Sequence, residues 1–380
     1  MSIARARVSV SGAFFLNGAV FSSWYARLPA IQDRLDLSPG ELGIALLGAP
    51  VGLLVAQPAI GALAARTGSR LVVAAAPLYL GAVVLPALAV DTATLLLAVV
   101  VVGAANGVLD IAMNAQGLAV ERASGRRLFS SLHAAFSFGA LAGAGGAAAA
   151  AAADIAPLPH LAASAVVGAA LAAALTPGLL RDRGDADAPR FARPSRRLAA
   201  LGVVAFCALL AEGAVFDWSG VYFTTQAGAS AGLAPLGLAA FSLFMGVGRL
   251  GADRTAARIG STLTARTGAL LAALGLGVAL ALATPAAAIA GFALMGLGLS
   301  AVFPLTLRAS GFTGQPAAPS LAAVSTLGYG GFLAGPPVIG LLAEATDLRS
   351  ALALVCFLCT VAAALATHIG RGEADRVRPQ

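Results

Sequence analysis

The sequence predicts an all-α membrane protein with twelve transmembrane helices in two pseudo-symmetric six-helix bundles, and three observations carry that expectation. The 380 residues are 59% hydrophobic and only 11% charged, against roughly 25% charged in an ordinary soluble domain. No water-facing surface could be built from them. Long apolar runs follow one another from end to end, separated by short segments rich in Arg, Asp, Gly and Pro. Segments of the first half also reappear, in the same order, in the second.

A hydrocarbon layer about 30 Å thick takes roughly 20 helical residues to cross, and inside it the backbone must close its own hydrogen bonds, so each apolar run reads as a helix. The expected spans are 8–28, 41–64, 70–90, 92–118, 128–152, 159–180, 198–224, 233–252, 262–283, 286–307, 318–343 and 349–369. Arg5 and Arg7 before an apolar run could mark a secretory signal peptide. The run from Val8 to Leu28 is long for one, and part of it recurs later, so it reads as the first span.

All 24 basic residues are Arg. With the N-terminus in the cytoplasm, Arg27, Arg34 and Arg349 fall outside and the other 21 (24 − 3) inside, as the positive-inside rule asks. The net charge of +7 is thus a topology signal and calls for no nucleic acid. The expected location is the cell membrane, with several passes and both termini cytoplasmic. Residues 1–180 read as an N-terminal bundle, 181–197 ("RDRGDADAPRFARPSRR") as a cytoplasmic linker, 198–370 as a C-terminal bundle and 371–380 as a cytoplasmic tail. The linker's arginines could also touch anionic lipid. Cys207, Cys356 and Cys359 lie in apolar stretches and read as small packing residues rather than metal or redox sites.

The internal echo is specific. "NGAVF" at 17–21 returns as "EGAVF" at 212–216 (212 − 17 = 195), and "AARTGS" at 64–69 returns as "AARIGS" at 256–261 (256 − 64 = 192). "RASG" recurs at 122–125 and 308–311, and "LAG" at 141–143 and 333–335. These matches equate span one with seven, the loop after two with that after eight, the end of four with that of ten, and five with eleven. Parallel six-helix repeats about an axis along the membrane normal are a transporter architecture.

On these residues the chain resembles a major facilitator superfamily transporter over essentially its whole length. "GRLGADRTAARIG" at 248–260 is similar to the superfamily's cytoplasmic loop pattern, and "GALAARTGSR" at 61–70 to its first copy, with Ala65 where the family usually has Asp. The resemblance implies that this loop latches the two halves through charge contacts, assigning Gly61, Arg66, Arg249, Asp253, Arg254 and Arg258 to a cytoplasmic gate. Asp253 would pair with Arg249 or Arg254. "GVLDIAMNAQGLAVERASGRR", "SSLHAAFSFGALAGA" and "GYGGFLAGPPVIG" are similar to the fucose-permease-like branch of bacterial carriers. The resemblance also implies that spans one, four, seven and ten line a central cavity.

An ionised Asp at the bilayer centre costs at least roughly 2.5 to 3.5 kcal/mol, so a buried acid must face water, a partner or a proton. Asp110, Glu212 and Asp217 qualify. Asn106, Asp110, Asn114 and Glu121 are spaced by four, four and seven, which keeps them on one helical face. Glu212 and its counterpart in the repeat, Asn17, both fall near mid-span. These positions suit proton coupling or substrate binding. The blander alternative is that Glu212 or Asp217 pairs with a structural Arg such as Arg27 or Arg308. His133, with Ser130 and Ser137 at helical spacing, is either a packing residue or a proton relay. Trp24 and Trp218, with Tyr25 and Tyr222 close by, are either interface anchors or rings that flank a ligand, which Tyr329 could join. Gly335, Pro336 and Pro337 should bend span eleven.

The expected function is secondary active transport of a small polar organic solute, sugar-like by resemblance, through alternating access and proton symport, without a cofactor and as a monomer. A proton-coupled drug exporter and a non-transporting sensor of the same fold are the rivals. No nucleophile, base and orienter set is recognisable, and no phosphate-binding loop, so neither an enzyme nor an ATP-driven pump is expected.

Overall fold

The computed structural model describes residues 2–56, 71–125, 128–180, 195–313 and 317–370. Among them every regular element is helical. In chain order these are α1 (Ile3–Tyr25), α2 (Leu28–Leu35), α3 (Pro39–Leu46), α4 (Leu71–Ala82), α5 (Thr92–Ser124), α6 (Phe129–Ala152) and α7 (Pro157–Leu175). The second half holds α8 (Arg196–Thr225), α9 (Leu236–Ile259), α10 (Ser261–Leu282), α11 (Pro285–Leu299), α12 (Val302–Ser310), α13 (Ala317–Ala345) and α14 (Leu348–Leu365). Ten helical stretches among the described residues are long and apolar enough to cross a membrane, including Pro39–Ala56, which extends α3, and Pro285–Ser310, which joins α11 and α12. Two of the twelve expected spans fall outside that set. The polar Ser and Asn17 side chains of α1 dilute its hydropathy, and α4 ends at Ala82, ahead of a short 3-10 turn at Leu85–Leu88 that holds Pro86. Gly61, Arg66 and the rest of the first loop, most of the linker and the tail at 371–380 lie outside the described residues.

Each start and stop has a local cause. Asp91 caps α5 through its carboxylate, which accepts from the Thr94 N–H and hydroxyl, and these donors hold its carboxyl below the usual carboxylate range. Thr284 caps α11 in the same way at the equivalent place in the repeat (284 − 91 = 193). Gly125 ends α5 at φ +63°, a left-handed turn that favours glycine. The expected span 286–307 is broken at Ser300–Ala301 into α11 and α12. Pro304 has no N–H for the Ser300 carbonyl, which removes the bond that would carry the helix through. In α13, by contrast, the helix runs on through Pro336 and Pro337.

The halves repeat their packing. α1 lies along α6, and its counterpart α8 lies along α13. Glycine makes both contacts possible: a Cβ on Gly139 would sit 2.0 Å from the Phe15 carbonyl oxygen, and one on Gly331, 192 residues later (331 − 139), 2.3 Å from that of Phe206. Small residues let helices in lipid approach this closely. A leucine at Gly139 would drive α6 off α1 inside one half. We expect Gly139→Leu to yield little folded protein, measured as the monodisperse fraction in detergent, whereas Gly145→Leu, where a Cβ meets nothing within 4 Å, should not.

Across the halves, α6 packs on α9 and α3 on α13, two contacts that the repeat interchanges. The α3–α13 contact lies at the end of the bundle opposite Ile3, termed the far face, the end with Ile3 being the N-face. There Gly43 approaches Pro336 and Gly340, and the Gly40 N–H donates to Glu344 Oε2 at 3.1 Å. Gly220 of α8 also meets Pro29 of α2 there.

Candidate functional site

A half-enclosed cavity of about 220 Å³ opens between the two halves. From the first half α1, the extension of α3, α5 and α6 line it; from the second, α8, α9, α12 and α13. Helical period selects the α1 residues: Phe14, Asn17, Phe21, Trp24 and Tyr25 follow steps of three and four and form one stripe. Toward the far face the cavity ends in aromatic rings from both halves. Phe216 of α8 meets Phe21 at 5.1 Å, Tyr25 at 5.9 Å and Phe241 at 6.2 Å between centroids. Phe21 also meets Phe136 of α6 at 6.1 Å. Phe303, at the break between α11 and α12, and Phe332 of α13 add further rings.

The polar groups project into this apolar shell. Asp110 and Asn106 come from α5, Asn17 from α1, His133 from α6, Glu212 from α8, Arg249 from α9 and Tyr329 from α13. Glu212 Oε1 accepts from Arg249 Nη2 at 3.2 Å, with the two side chains 13% and 11% exposed. Arg249 also crosses between the halves: its Nη1 donates to Ser137 Oγ at 2.8 Å and to the His133 carbonyl at 3.4 Å. Asp110 is held by its neighbour one turn on, since Asn114 Nδ2 donates to Asp110 Oδ1 at 3.1 Å and to its carbonyl at 2.8 Å. Asn17 Nδ2 touches Met113 Sδ at 3.6 Å. The amide oxygens of Asn17 and Asn106 are buried with no hydrogen-bond partner among the described residues.

Several expected residues lie elsewhere. Asp217 is buried away from the cavity lining. Trp218 is wholly buried beside Gly340, and Tyr222 donates its hydroxyl to the Ala279 carbonyl at 2.7 Å, so neither flanks the cavity. Burial also removes the reading of Trp24 and Trp218 as lipid-interface anchors, because both are 0% exposed. Asn114 serves Asp110 rather than the cavity, and Glu121 accepts from the Leu128 N–H at 2.6 Å, which ties α5 to α6. Of the polar stripe on α5, Asn106 and Asp110 line the cavity. Arg27 donates to the carbonyls of Ala147 and Ile155 and to no acid among the described residues.

The gate group divides as well. Asp253, Arg254 and Arg258 are exposed at the N-face end of α9, where Asp253 Oδ2 accepts from Ser130 Oγ of α6 at 3.4 Å. Arg249 is not with them. α9 runs on to Ile259, ten residues further (259 − 249), so Arg249 lies about 15 Å from the end of the helix at 1.5 Å per residue, one turn deeper than the exposed Asp253. The resemblance assigned it to the cytoplasmic gate, whereas it lines the cavity; its place inside the expected span 233–252, one turn before Asp253, was the available signal. The aromatic far wall was the second omission, and the i, i+4 pairing of Glu212 with Phe216 could have found it. Among the described residues no group of three His, Cys, Asp or Glu side chains could hold a metal ion.

Comparisons with known proteins identify the family and the fold. The Major Facilitator Superfamily profile matches residues 10–312. An uncharacterised MFS-type transporter of Yersinia pestis is 37% identical over 372 residues, covering 96% of each chain. Membrane protein MosC of Rhizobium meliloti is 31% identical over 379 residues, covering 98% of this chain and 92% of its own. Among solved structures, a bacterial homolog of the human lysosomal transporter Spinster, inward-facing and occupied, aligns with a TM-score of 0.74 at 15% identity over 98% of each chain. The E. coli fucose:proton symporter FucP aligns with a TM-score of 0.66 at 15% identity, over 98% of this chain and 100% of its own. With a matching family profile over most of its length, a shared fold and a relative 37% identical that is named an MFS-type transporter, this chain belongs to the major facilitator superfamily.

Proposed function

We propose that the protein is a secondary active transporter that moves a small polar organic solute, sugar-like in its hydroxyl groups, together with protons by alternating access. The observation that carries this reading is that one cavity, bordered by both halves, brings together Asp110, Glu212 and Arg249. Charged groups inside a membrane protein are costly unless they serve a partner or a pathway. The far mouth is shut by Phe21, Tyr25 and Phe216 and by the α3–α13 contact, which supports a state open toward the N-face. Rocking of α1–α7 against α8–α14 would part the far rings and draw the N-face ends of the two halves together. The fold neighbour that is a fucose:proton symporter supports coupling to protons.

In this reading the bundles are residues 1–180 and 198–370, joined by a cytoplasmic linker at 181–197 and followed by a cytoplasmic tail at 371–380. The N-face is cytoplasmic, as the arginine distribution supports, the membrane is the cell membrane, and the unit is a monomer. Glu212 and Asp110 carry the proton, with Asn17, Asn106 and His133 as hydrogen-bonding neighbours, and Trp24 and Tyr329 contact the solute. Asp253, Arg254 and Arg258 serve the cytoplasmic gate with Gly61 and Arg66. The test is flux into proteoliposomes: a hydroxylated solute should accumulate under an imposed proton gradient and stop doing so when a protonophore is added. Export of lipophilic cations with no movement of hydroxylated solutes would replace this reading with that of a drug exporter, which the many rings of the lining would also suit.

A further inference from the structure

We infer that Arg249 is the docking point for a carboxylate on the transported solute, so that the cavity takes small hydroxylated carboxylic acids of the sugar-acid class. The inference rests on the transport reading above and specifies its substrate. A guanidinium offers five N–H donors in a fixed fork, and carboxylates fill one edge of it with two parallel bonds. Glu212 fills such an edge only by half: Oε1 reaches Nη2 at 3.2 Å, while Nε is buried with no hydrogen-bond partner among the described residues. The other side of the guanidinium is fixed to the first half through Ser137 Oγ and the His133 carbonyl. Arg249 is thus oriented, faces the cavity, and is paired below its capacity.

The remaining walls state what the rest of the ligand should look like. The amide oxygens of Asn17 and Asn106 are buried acceptors without donors, and the Asp110 carboxyl, anchored by Asn114, lies in the same lining. Buried acceptors left unpaired are costly, and hydroxyl groups would satisfy them. A ligand with a carboxylate at one end and hydroxyls along its body meets donors at Arg249 and acceptors at Asn17, Asn106 and Asp110. Phe14, Phe21 and Phe136 would cover its C–H faces.

Glu212 then sets a proton requirement. The ionisable or charged groups that share the cavity with it are Arg249 from α9, His133 from α6, Asp110 from α5, Tyr329 from α13 and Tyr25 from α1. While Glu212 is ionised it is the counter-ion of Arg249. When it takes a proton, its carboxylic acid no longer neutralises the guanidinium, and the solute carboxylate replaces it. One proton enters with one anion, so the charge of the cavity is the same before and after loading.

The experiment is binding to purified full-length protein in detergent, by calorimetry, at about pH 6 and about pH 8. The probes are gluconate and glucuronate as acids, glucose and sorbitol as neutral counterparts and glucosamine as a cationic one. The wild type should bind an acid more tightly at the lower pH, and Glu212→Gln should bind it with little pH dependence. Arg249→Gln should weaken binding by about tenfold or more, the loss of one or two charge-assisted hydrogen bonds. Because that variant leaves Glu212 unpaired and could unfold, the double variant Glu212→Gln with Arg249→Gln, which removes both charges, is compared with Glu212→Gln alone. Equal acid binding by those two overturns the inference, as does tighter binding of a neutral or cationic probe, or failure of Glu212→Gln to bind either acid. Binding in detergent needs no transport. Arg249-dependent acid binding without flux in proteoliposomes would sink the transport reading alone, and flux of neutral sugar without acid binding would sink this inference alone.

Discussion

Glu212→Gln should abolish uphill accumulation driven by protons while leaving exchange of labelled for unlabelled solute across the same membrane. Gln keeps the shape and two hydrogen-bonding atoms of Glu but can neither release a proton nor be recharged. A carrier so fixed resembles the permanently protonated state, which loads and exchanges but cannot return empty in its proton-free form. The substitution also takes the counter-ion from Arg249. Removing one partner of a buried pair costs roughly 3 to 5 kcal/mol when the other charge is left dry. Here the guanidinium keeps Ser137 and the His133 carbonyl and borders an open cavity, so the loss of stability should fall below that range. Counterflow and proton-driven uptake measured on the same vesicles separate these outcomes. Retention of proton-driven accumulation would remove Glu212 from the coupling path.

Gly43→Leu should stop transport without unfolding the protein. A Cβ on Gly43 would lie 2.6 Å from the Pro336 carbonyl oxygen and 3.0 Å from the Gly340 Cα. Both are atoms of the facing helix backbone, which cannot turn aside as a side chain can. The clash exists only while α3 and α13 are in contact, that is, while the far face is closed. Overpacking of this kind costs typically 1 to 3 kcal/mol, which depopulates the closed state by about five- to a hundredfold at a factor of ten per 1.4 kcal/mol. Each half keeps its own packing, so thermal unfolding in detergent should change little. The expected signature is low flux together with faster labelling of Phe216→Cys by a membrane-impermeant maleimide from the far side. Normal flux with unchanged labelling would mean that the α3–α13 contact is not a gate. The contrast with Gly139→Leu, whose clash lies within one half and is present throughout the cycle, separates gating from folding.

Much of the fold was legible in the sequence, because a lipid solvent imposes length and composition on every spanning helix. The repeat was legible too, and the structure gives its physical content in Gly139 and Gly331, which allow the same helix contact in each half. Local breaks were less visible. The division at Ser300–Ala301 follows from Pro304, a residue the hydropathy pattern passes over, and α2 fills what reads as a polar loop between the first two spans.

Within the candidate site, Glu212 and Asp110 stood out as acids in apolar runs, but the sequence grouped them with Asp217, Trp218 and Tyr222. Five residues along an α-helix turn the direction by about 140°, so Glu212 and Asp217 cannot face one cavity from a straight α8. Leu209 and Phe216, three before and four after Glu212, share its face and do line the cavity. Arg249 was misplaced for a different reason. Likeness to a loop pattern assigned it to the gate although the expected span 233–252 contains it, and the structure puts it in the cavity lining. Its partner Glu212 is 37 residues away, and no spacing rule connects such a pair across two helices.

Distances between spin labels on the two faces test alternating access most directly. One pair, Asp33→Cys with Thr225→Cys, reports the far face; the other, Ala123→Cys with Ala257→Cys, reports the N-face. All four positions are exposed. In lipid, measured across a range of pH and with and without a transported solute, the far pair should gain a longer distance as the N-face pair gains a shorter one. Single, unchanging distances at both faces under every condition would contradict the account.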